Sequence, residues 1–79
     1  MMEEKIKNFL EKETGSKISN YKDNLIALGI LDSFSMFKFI DFLEKEFEVE
    51  FDVENLSPEN FNSVSSAAEF VKNSSTSSL

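Results

Sequence analysis

The feature that most constrains this chain is an apolar repeat near its middle. Apolar residues recur there at intervals of four, three and four positions, namely Met36, Ile40, Leu43 and Phe47. This spacing places side chains on one face of an α-helix, and it predicts that the face enters the core with Phe39 beside it. The helix is predicted to run from Ser33 to Glu46 or Phe47. The sequence leaves open whether Asp32 or Ser33 is its N-cap.

A second face of the same predicted helix mixes aromatic and acidic side chains. Successive residues are rotated by about 100° around a helix axis. The residues that then fall together, away from the core face, are Phe34, Phe37, Asp41, Glu44 and Glu48. Phe42 falls on neither face, so we expect it to meet a further helix.

Two more helices are predicted, one at each end of the chain. Residues 2–13 form the first, and its apolar face consists of Met2, Ile6, Phe9 and Leu10. Gly15 is well placed to end this helix in a left-handed cap. Ser63 is the predicted N-cap of the last helix, and the core face there consists of Val64, Ala67, Ala68 and Val71.

The connecting segments are not solvated linkers. Residues 15–32 are too apolar to lie in water, and we expect them to cover the helices, with a bend at Gly29. Apolar and acidic residues alternate over 47–54, which alone is a strand pattern, but no second strand is available to pair with it. We therefore interpret 47–54 as an extended loop. Ser57-Pro58 predicts a short helical turn, and Phe61 is its anchor.

The predicted fold is all-α. It is a small four-helix bundle, with three longer helices, one short helix and a long loop between the first two helices. Residues 1–72 form the predicted domain, and the serine-rich residues 73–79 are predicted to be a disordered tail.

Composition excludes several classes of function. The 79 residues carry a net charge of -7, which argues against nucleic acids and anionic membranes because their phosphates would be repelled. No apolar stretch is long enough to insert into a membrane, and no apolar run of signal-peptide length lies near the N-terminus, so we expect the protein to be cytoplasmic. We also predict a monomer. The chain has no cysteine and no histidine. The spacing of its acids does not fit a calcium loop, and we predict no metal site.

Ser33 is the candidate functional residue. It stands at a predicted helix N-terminus, where unpartnered N–H groups and the helix dipole favour an anion. It has no histidine to activate it, and no lysine has a spacing that specifies a base, so we predict no catalytic residue and no serine hydrolase. Two roles remain open: a helix cap, or an attachment point for a phosphate group. Because they compete for one hydroxyl, attachment requires that Asp32 caps the helix.

The triplet Asp32-Ser33-Phe34 resembles the Asp-Ser-Leu signature of acyl and peptidyl carrier proteins. The likeness extends over most of the chain, through residues 25–33, 39–47 and 58–64. The last block is similar to free-standing D-alanyl carriers and to discrete carriers of polyketide and nonribosomal peptide pathways. The resemblance implies that Ser33, flanked by Asp32, receives 4'-phosphopantetheine from coenzyme A through a phosphopantetheinyl transferase.

The same resemblance implies the function. The thiol of the arm would hold an acyl or aminoacyl group as a thioester, loaded by a ligase or synthase, and the protein itself would catalyse nothing. Whether the pathway is that of fatty acids, polyketides, nonribosomal peptides or D-alanyl transfer stays open. So does the question of whether the carried chain is sheltered between the helices.

Three residues depart from the pattern of the main fatty-acid carriers. Ser35 and Lys38 stand where acids are frequent, which weakens the case for a generic fatty-acid partner surface. Glu48 occupies a position that often holds glycine, so we expect the end of this helix to be built differently.

Seven acids and one lysine lie between Asp41 and Glu54. They either form a solvated face or dock basic patches of partner enzymes. Asp41 and Glu44 share a face with Phe34 and Phe37 near the candidate serine, so we predict that these four residues contact partners. The alternative function is an acidic helical protein–protein interaction module without a prosthetic group.

Overall fold

The secondary structure of the described residues includes three α-helices and a short 3-10 turn before the last of them. The computed structural model describes residues 1–52, 54 and 56–76. Helix α1 comprises Met2–Thr14, α2 comprises Ser33–Phe47, the 3-10 turn comprises Pro58–Asn60 and α3 comprises Val64–Thr76. The described residues contain no strand, and no helix among them is long and apolar enough to cross a membrane.

The core lies where the three helices contact one another. Its buried helical side chains are Ile6, Leu10, Phe39, Leu43, Val64, Ala67, Ala68 and Val71. The predicted face of α3 is therefore confirmed in full. In α1 the centre of the predicted face is buried at Ile6 and Leu10, while Met2 and Phe9 are half-buried and pack against the same core.

The buried face of α2 is centred differently from the prediction. Phe39 and Leu43 are fully buried, whereas three predicted core residues are half-buried, namely Met36, Ile40 and Phe47. Phe39 stacks on Phe9 of α1 and meets Phe61 edge-on, with both ring centroids 6.4 Å away. These contacts turn Phe39 towards the centre of the core and leave part of the predicted face at the core's edge.

Both α1 and α2 end in a left-handed cap. Gly15 has a φ of 75°, and its N–H donates to the carbonyl oxygen of Glu11 at 2.9 Å, as predicted. Glu48 has a φ of 54°, and its N–H donates to the carbonyl oxygen of Glu44. The expectation that α2 ends differently was wrong. The glycine-type cap forms with a glutamate, at the cost of crowding its Cβ.

The connection between α1 and α2 is tied to the rest of the fold at several points. Ile18, Leu25 and Leu31 are buried, as the apolar pattern requires. Leu25 donates its N–H to the carbonyl oxygen of Asn62 at 2.7 Å, which joins the connection to the segment before α3. Gly29 bends the chain with a φ of 76°.

Two apolar residues of that connection are exposed, contrary to the prediction that all of them would leave water. Ile26 is 40% exposed and Leu28 is 61% exposed. The N–H of Leu28 donates to the carbonyl oxygen of Asn24 at 3.0 Å, which closes a single turn. A turn buries only one side, here through Leu25, so its other residues face outward.

The predicted extended loop over 47–54 is confirmed in part: residues 49–52 form neither helix nor strand, whereas Phe47 is the last residue of α2 and Glu54 has 3-10 conformation. Val49 is buried and Phe51 is half-buried, whereas the alternating acids Glu48, Glu50 and Asp52 are exposed. Phe51 lies 5.5 Å from Phe61 and 5.1 Å from Phe70, measured between ring centroids. Val53, which belongs to the same alternation, lies outside the described residues.

The predicted short turn and the last helix are both present. Phe61 is buried as its anchor, although the side chain of Ser57 makes no capping hydrogen bond to the described residues. Ser63 caps α3, because its Oγ accepts from the N–H of Ser66 at 3.0 Å.

The boundary predicted at Asn73 was too early, since α3 continues to Thr76. Extending a helix that already exists adds a hydrogen bond per residue, and serine opposes this only weakly. The rest of the predicted tail, residues 77–79, lies outside the described residues.

Candidate functional site

The site begins at the N-terminus of α2, which is capped by a reciprocal pair of hydrogen bonds. Asp32 has extended backbone angles, and its Oδ1 accepts from the N–H of Ser35 at 2.9 Å. The Oγ of Ser35 in turn accepts from the N–H of Asp32 at 3.0 Å. The open question about the N-cap is thereby settled in favour of Asp32. The bonds from Ser35 hold the pKa of the Asp32 carboxyl below its usual value.

Ser33 is the first residue of α2 and is exposed. Its hydroxyl makes no hydrogen bond to any described residue, although the serine two positions later is fully engaged in the cap. The first turn of α2 contains no acidic residue. A phosphate joined to this hydroxyl would therefore meet the positive end of the helix dipole, and the nearest carboxylate, that of Asp32, is bonded to Ser35 in the cap.

A groove of about 390 Å³ opens beside Ser33. Apart from Asp32 and Ser33 its lining is apolar, and it includes Ile26, Leu31, Met36, Ile40, Leu56 and Phe61. The groove explains why two residues of the predicted core face of α2 are only half-buried. They form a wall of the groove instead of the centre of the core.

Two phenylalanines beside the groove point into solvent. Phe34 is 69% exposed and Phe37 is 74% exposed. The Nζ of Lys38 lies 4.8 Å from the centroid of the Phe34 ring, within the range of a cation–π contact. The same amine pairs with Glu13 of α1 at 3.0 Å. The lysine therefore connects an exposed aromatic ring to the neighbouring helix.

The two predicted docking acids have different surroundings. Asp41 is exposed and pairs with Lys45, one turn further along α2, at 3.1 Å. Glu44 is half-buried, and its Oε2 accepts from the N–H of Phe51 at 3.0 Å. The structure thus groups Asp41 with the two exposed phenylalanines, whereas the carboxylate of Glu44 holds the loop that follows the helix.

Sequence reasoning missed two contributors to this site. Ser35 was noted only as a departure from an acidic position, yet it completes the cap that leaves Ser33 free. The signal was present, since a polar pair separated by three residues at a helix start is the spacing of a capping box. Lys38 was also noted only as a departure. Its contact with Phe34 could have been anticipated from their separation of four residues.

Comparison with known proteins gave one finding. The family model described as "Phosphopantetheine attachment site" matches residues 4–71, which is most of the 79-residue chain. A search of curated proteins found no match. The matched range contains the capped start of α2, the groove beside it and all of the buried apolar residues of the core.

Proposed function

The chain belongs to the phosphopantetheine-attachment family, and we propose that Ser33 is the residue to which its 4'-phosphopantetheine arm is joined. The protein is a carrier that bears this arm as a covalent cofactor. One observation supports the choice of Ser33: its hydroxyl is exposed and uncommitted, while Asp32 and Ser35 cap the helix between them. Modification would therefore not cost the helix its cap.

The residues around Ser33 suit the group chemically. The N-terminus of α2 stabilises the phosphate linkage, and the apolar groove offers a surface along which an arm or its cargo can lie. When bound, the arm supplies a terminal thiol that holds an acyl or aminoacyl group as a thioester. Ser33 itself contributes only an accessible oxygen. In the transfer this oxygen would bond to phosphorus as the pyrophosphate bond of coenzyme A breaks, and the adenosine bisphosphate part would leave. The serine proton would go to a base on the transferase, since the chain has no histidine to take it.

The wider proposal concerns partners and location. The three helices and the 3-10 turn act as a four-helix bundle that presents Ser33 to a phosphopantetheinyl transferase and then to a loading ligase or synthase. Phe34, Phe37, Asp41 and Glu44 form the contact surface, and the protein catalyses no reaction itself. Its compartment is the cytoplasm, and it acts as a monomer.

No observation favours the alternative of an acidic interaction module without a prosthetic group. The pathway stays an open prediction between fatty-acid, polyketide, nonribosomal-peptide and D-alanyl carriers. Ser35 and Lys38, which replace acids frequent in fatty-acid carriers, support the last three over the first.

The direct test is enzymatic modification followed by intact-mass measurement. The protein is incubated with coenzyme A and a promiscuous phosphopantetheinyl transferase, and we expect a gain of one phosphopantetheine. Ser33→Ala should abolish the gain. The matched control Ser19→Ala removes another exposed hydroxyl and should leave it intact. If the wild-type chain gains no mass under conditions that modify a known carrier, the proposal fails.

A further inference from the structure

The two exposed phenylalanines are not explained by folding. Phe34 and Phe37 are more than two-thirds exposed in a chain that places its other seven phenylalanines in ring-to-ring contacts. A scattered apolar residue needs no explanation, but two large aromatic rings side by side on one helix are typical of a binding surface. They lie one and four residues after Ser33. At about 1.5 Å per residue, both are within about 6 Å of it along the helix axis.

Five of the seven exposed residues of α2 form one narrow stripe, and the other two, Ser33 and Glu46, lie outside it. Within about 100° of arc, helical rotation groups the five exposed residues Phe34, Phe37, Lys38, Asp41 and Lys45, which we call the exposed stripe. Glu44 lies just outside it, and its carboxylate is bonded to the loop. Any enzyme that modifies the hydroxyl of Ser33 must cover the start of this stripe.

The exposed stripe is not acidic, although the whole chain carries a net charge of -7. Its two lysines pair with two carboxylates, Lys38 with Glu13 at 3.0 Å and Lys45 with Asp41 at 3.1 Å. The two lysines and their two paired carboxylates carry two positive and two negative charges, so the net charge of this group is close to zero. A cationic patch on a partner enzyme would gain an ion pair there only by displacing a lysine amine that is already paired with the carboxylate.

The Asp32 carboxylate adjoins Ser33 but is bonded to Ser35 in the helix cap, and several other acids that form no ion pair with the described residues lie away from the exposed stripe. Glu48, Glu50 and Asp52 follow the far end of α2 and are exposed. Because α2 has 15 residues, its two ends are about 20 Å apart, which is well beyond a Debye length in physiological salt. These acids can influence the approach of a partner, but they do not contact an enzyme group that is positioned at Ser33.

We propose that the transferase recognises this carrier through Phe34 and Phe37, which enter an apolar pocket beside its active site, and that Asp41 and Glu44 contribute little to affinity. This inference rests on the proposed attachment at Ser33 and divides the proposed contact surface into two parts. Lys38 is a positioning residue, because its amine holds the Phe34 ring against the helix surface while pairing with Glu13. The pocket of the transferase is apolar and accepts aromatic side chains, and binding there does not require cationic residues at its edge.

The test compares the kinetics of modification for matched variants at two salt concentrations. Phe37→Ala and Phe34→Ala should each raise the KM of the transferase for the carrier by about tenfold or more, with kcat nearly unchanged. The factor should be the same at about 50 and 500 mM NaCl, because apolar contacts are not screened. Asp41→Asn and Glu44→Gln, which are matched in shape, should change KM by less than about threefold.

Lys38→Met provides a finer test, since it keeps the length of the side chain but removes the charge. We expect a rise in KM of about twofold to threefold, smaller than that of either phenylalanine variant. Circular dichroism and urea denaturation should show that Phe34→Ala and Phe37→Ala fold like the wild type, because both side chains are exposed.

The outcomes separate this inference from the one it rests on. Absence of any mass gain in the wild type overturns the attachment itself. Normal modification with an unchanged KM in Phe34→Ala and Phe37→Ala overturns only the apolar recognition. A large rise in KM for Asp41→Asn that disappears at high salt would also overturn the apolar recognition, because it would show that charge governs recognition.

Discussion

Phe37 and Phe39 are two residues apart on the same helix and have opposite surroundings. Phe37 is 74% exposed, whereas Phe39 is completely buried between Phe9 and Phe61. Two steps around a helix turn a side chain by about 200°, so one ring must face away if the other faces the core. The difference shows that a count of aromatic residues says little about stability in this chain. Their phase on α2 decides which of them hold the fold and which remain available to a partner.

The buried and half-buried rings form one connected group, which we call the aromatic cluster. Its members are Phe9, Phe39, Phe42, Phe47, Phe51, Phe61 and Phe70. The closest pair is Phe9 and Phe42, stacked at 4.0 Å between α1 and α2, which confirms the expectation that Phe42 meets another helix. The exposed pair, Phe34 and Phe37, makes no ring contact with this cluster within the described residues. Substitutions in the aromatic cluster are therefore expected to change the stability of the fold, whereas substitutions in the exposed pair are expected to change binding.

The largest expected effect comes from breaking the aromatic cluster at its centre. Phe39→Ala should lower the free energy of unfolding by about 3–5 kcal/mol, because it removes buried surface and leaves a cavity. The matched Phe37→Ala should change it by less than about 0.5 kcal/mol. Urea denaturation followed by circular dichroism measures both. Similar losses in the two variants would contradict the division between buried and exposed rings.

A smaller loss in the free energy of unfolding is expected at Glu44, whose carboxylate holds the loop that carries Phe51 of the aromatic cluster. Glu44→Ala removes the acceptor for the N–H of Phe51 and should cost about 1 kcal/mol, because that bond holds the loop carrying Phe51. Glu44→Gln keeps an acceptor oxygen and should cost about half as much or less. Asp41→Ala loses only an exposed ion pair and should cost less than about 0.5 kcal/mol. Equal losses for Glu44→Ala and Asp41→Ala in urea denaturation would remove the distinction between these two acids.

A further effect on stability is expected at the N-cap of α2, where pH distinguishes two neighbouring residues. The pKa of Asp32 is lowered in the folded state from its ordinary value of 3.8, chiefly by the N–H of Ser35. Its contribution to stability is therefore present above pH 3.8 and is lost as the pH falls through the lower, folded pKa. Asp32→Ala should have a lower urea midpoint than the wild type at neutral pH, and the gap should close in acid.

Ser33→Ala is the matched control for that experiment. Its urea midpoint should follow that of the wild type at every pH, because the hydroxyl takes no part in the cap. A destabilised Ser33→Ala beside an unaffected Asp32→Ala would show that the cap had been assigned to the wrong residue, and the case for a free hydroxyl would fail with it.

Much of the fold was predictable because its signals are local. The bounds of α2, the cap at Ser63 and the buried face of α3 follow from spacings of three and four residues and from single capping side chains. The end of α3 was misplaced, since serines after Asn73 gave a composition typical of disorder although the helix continues. Composition describes a segment in isolation and does not include the hydrogen bonds offered by the helix before it.

The candidate site was also predictable only in part from the sequence. The sequence alone singled out Ser33 at a helix start, excluded its activation by a histidine, and placed Phe34 and Phe37 near it. Only the tertiary structure decided that Glu44 supports a loop and that a groove opens beside the serine. Spacing along a helix fixes which residues share a face, because helical geometry is the same everywhere. It cannot fix which face meets another segment, because that depends on where distant parts of the chain return to pack.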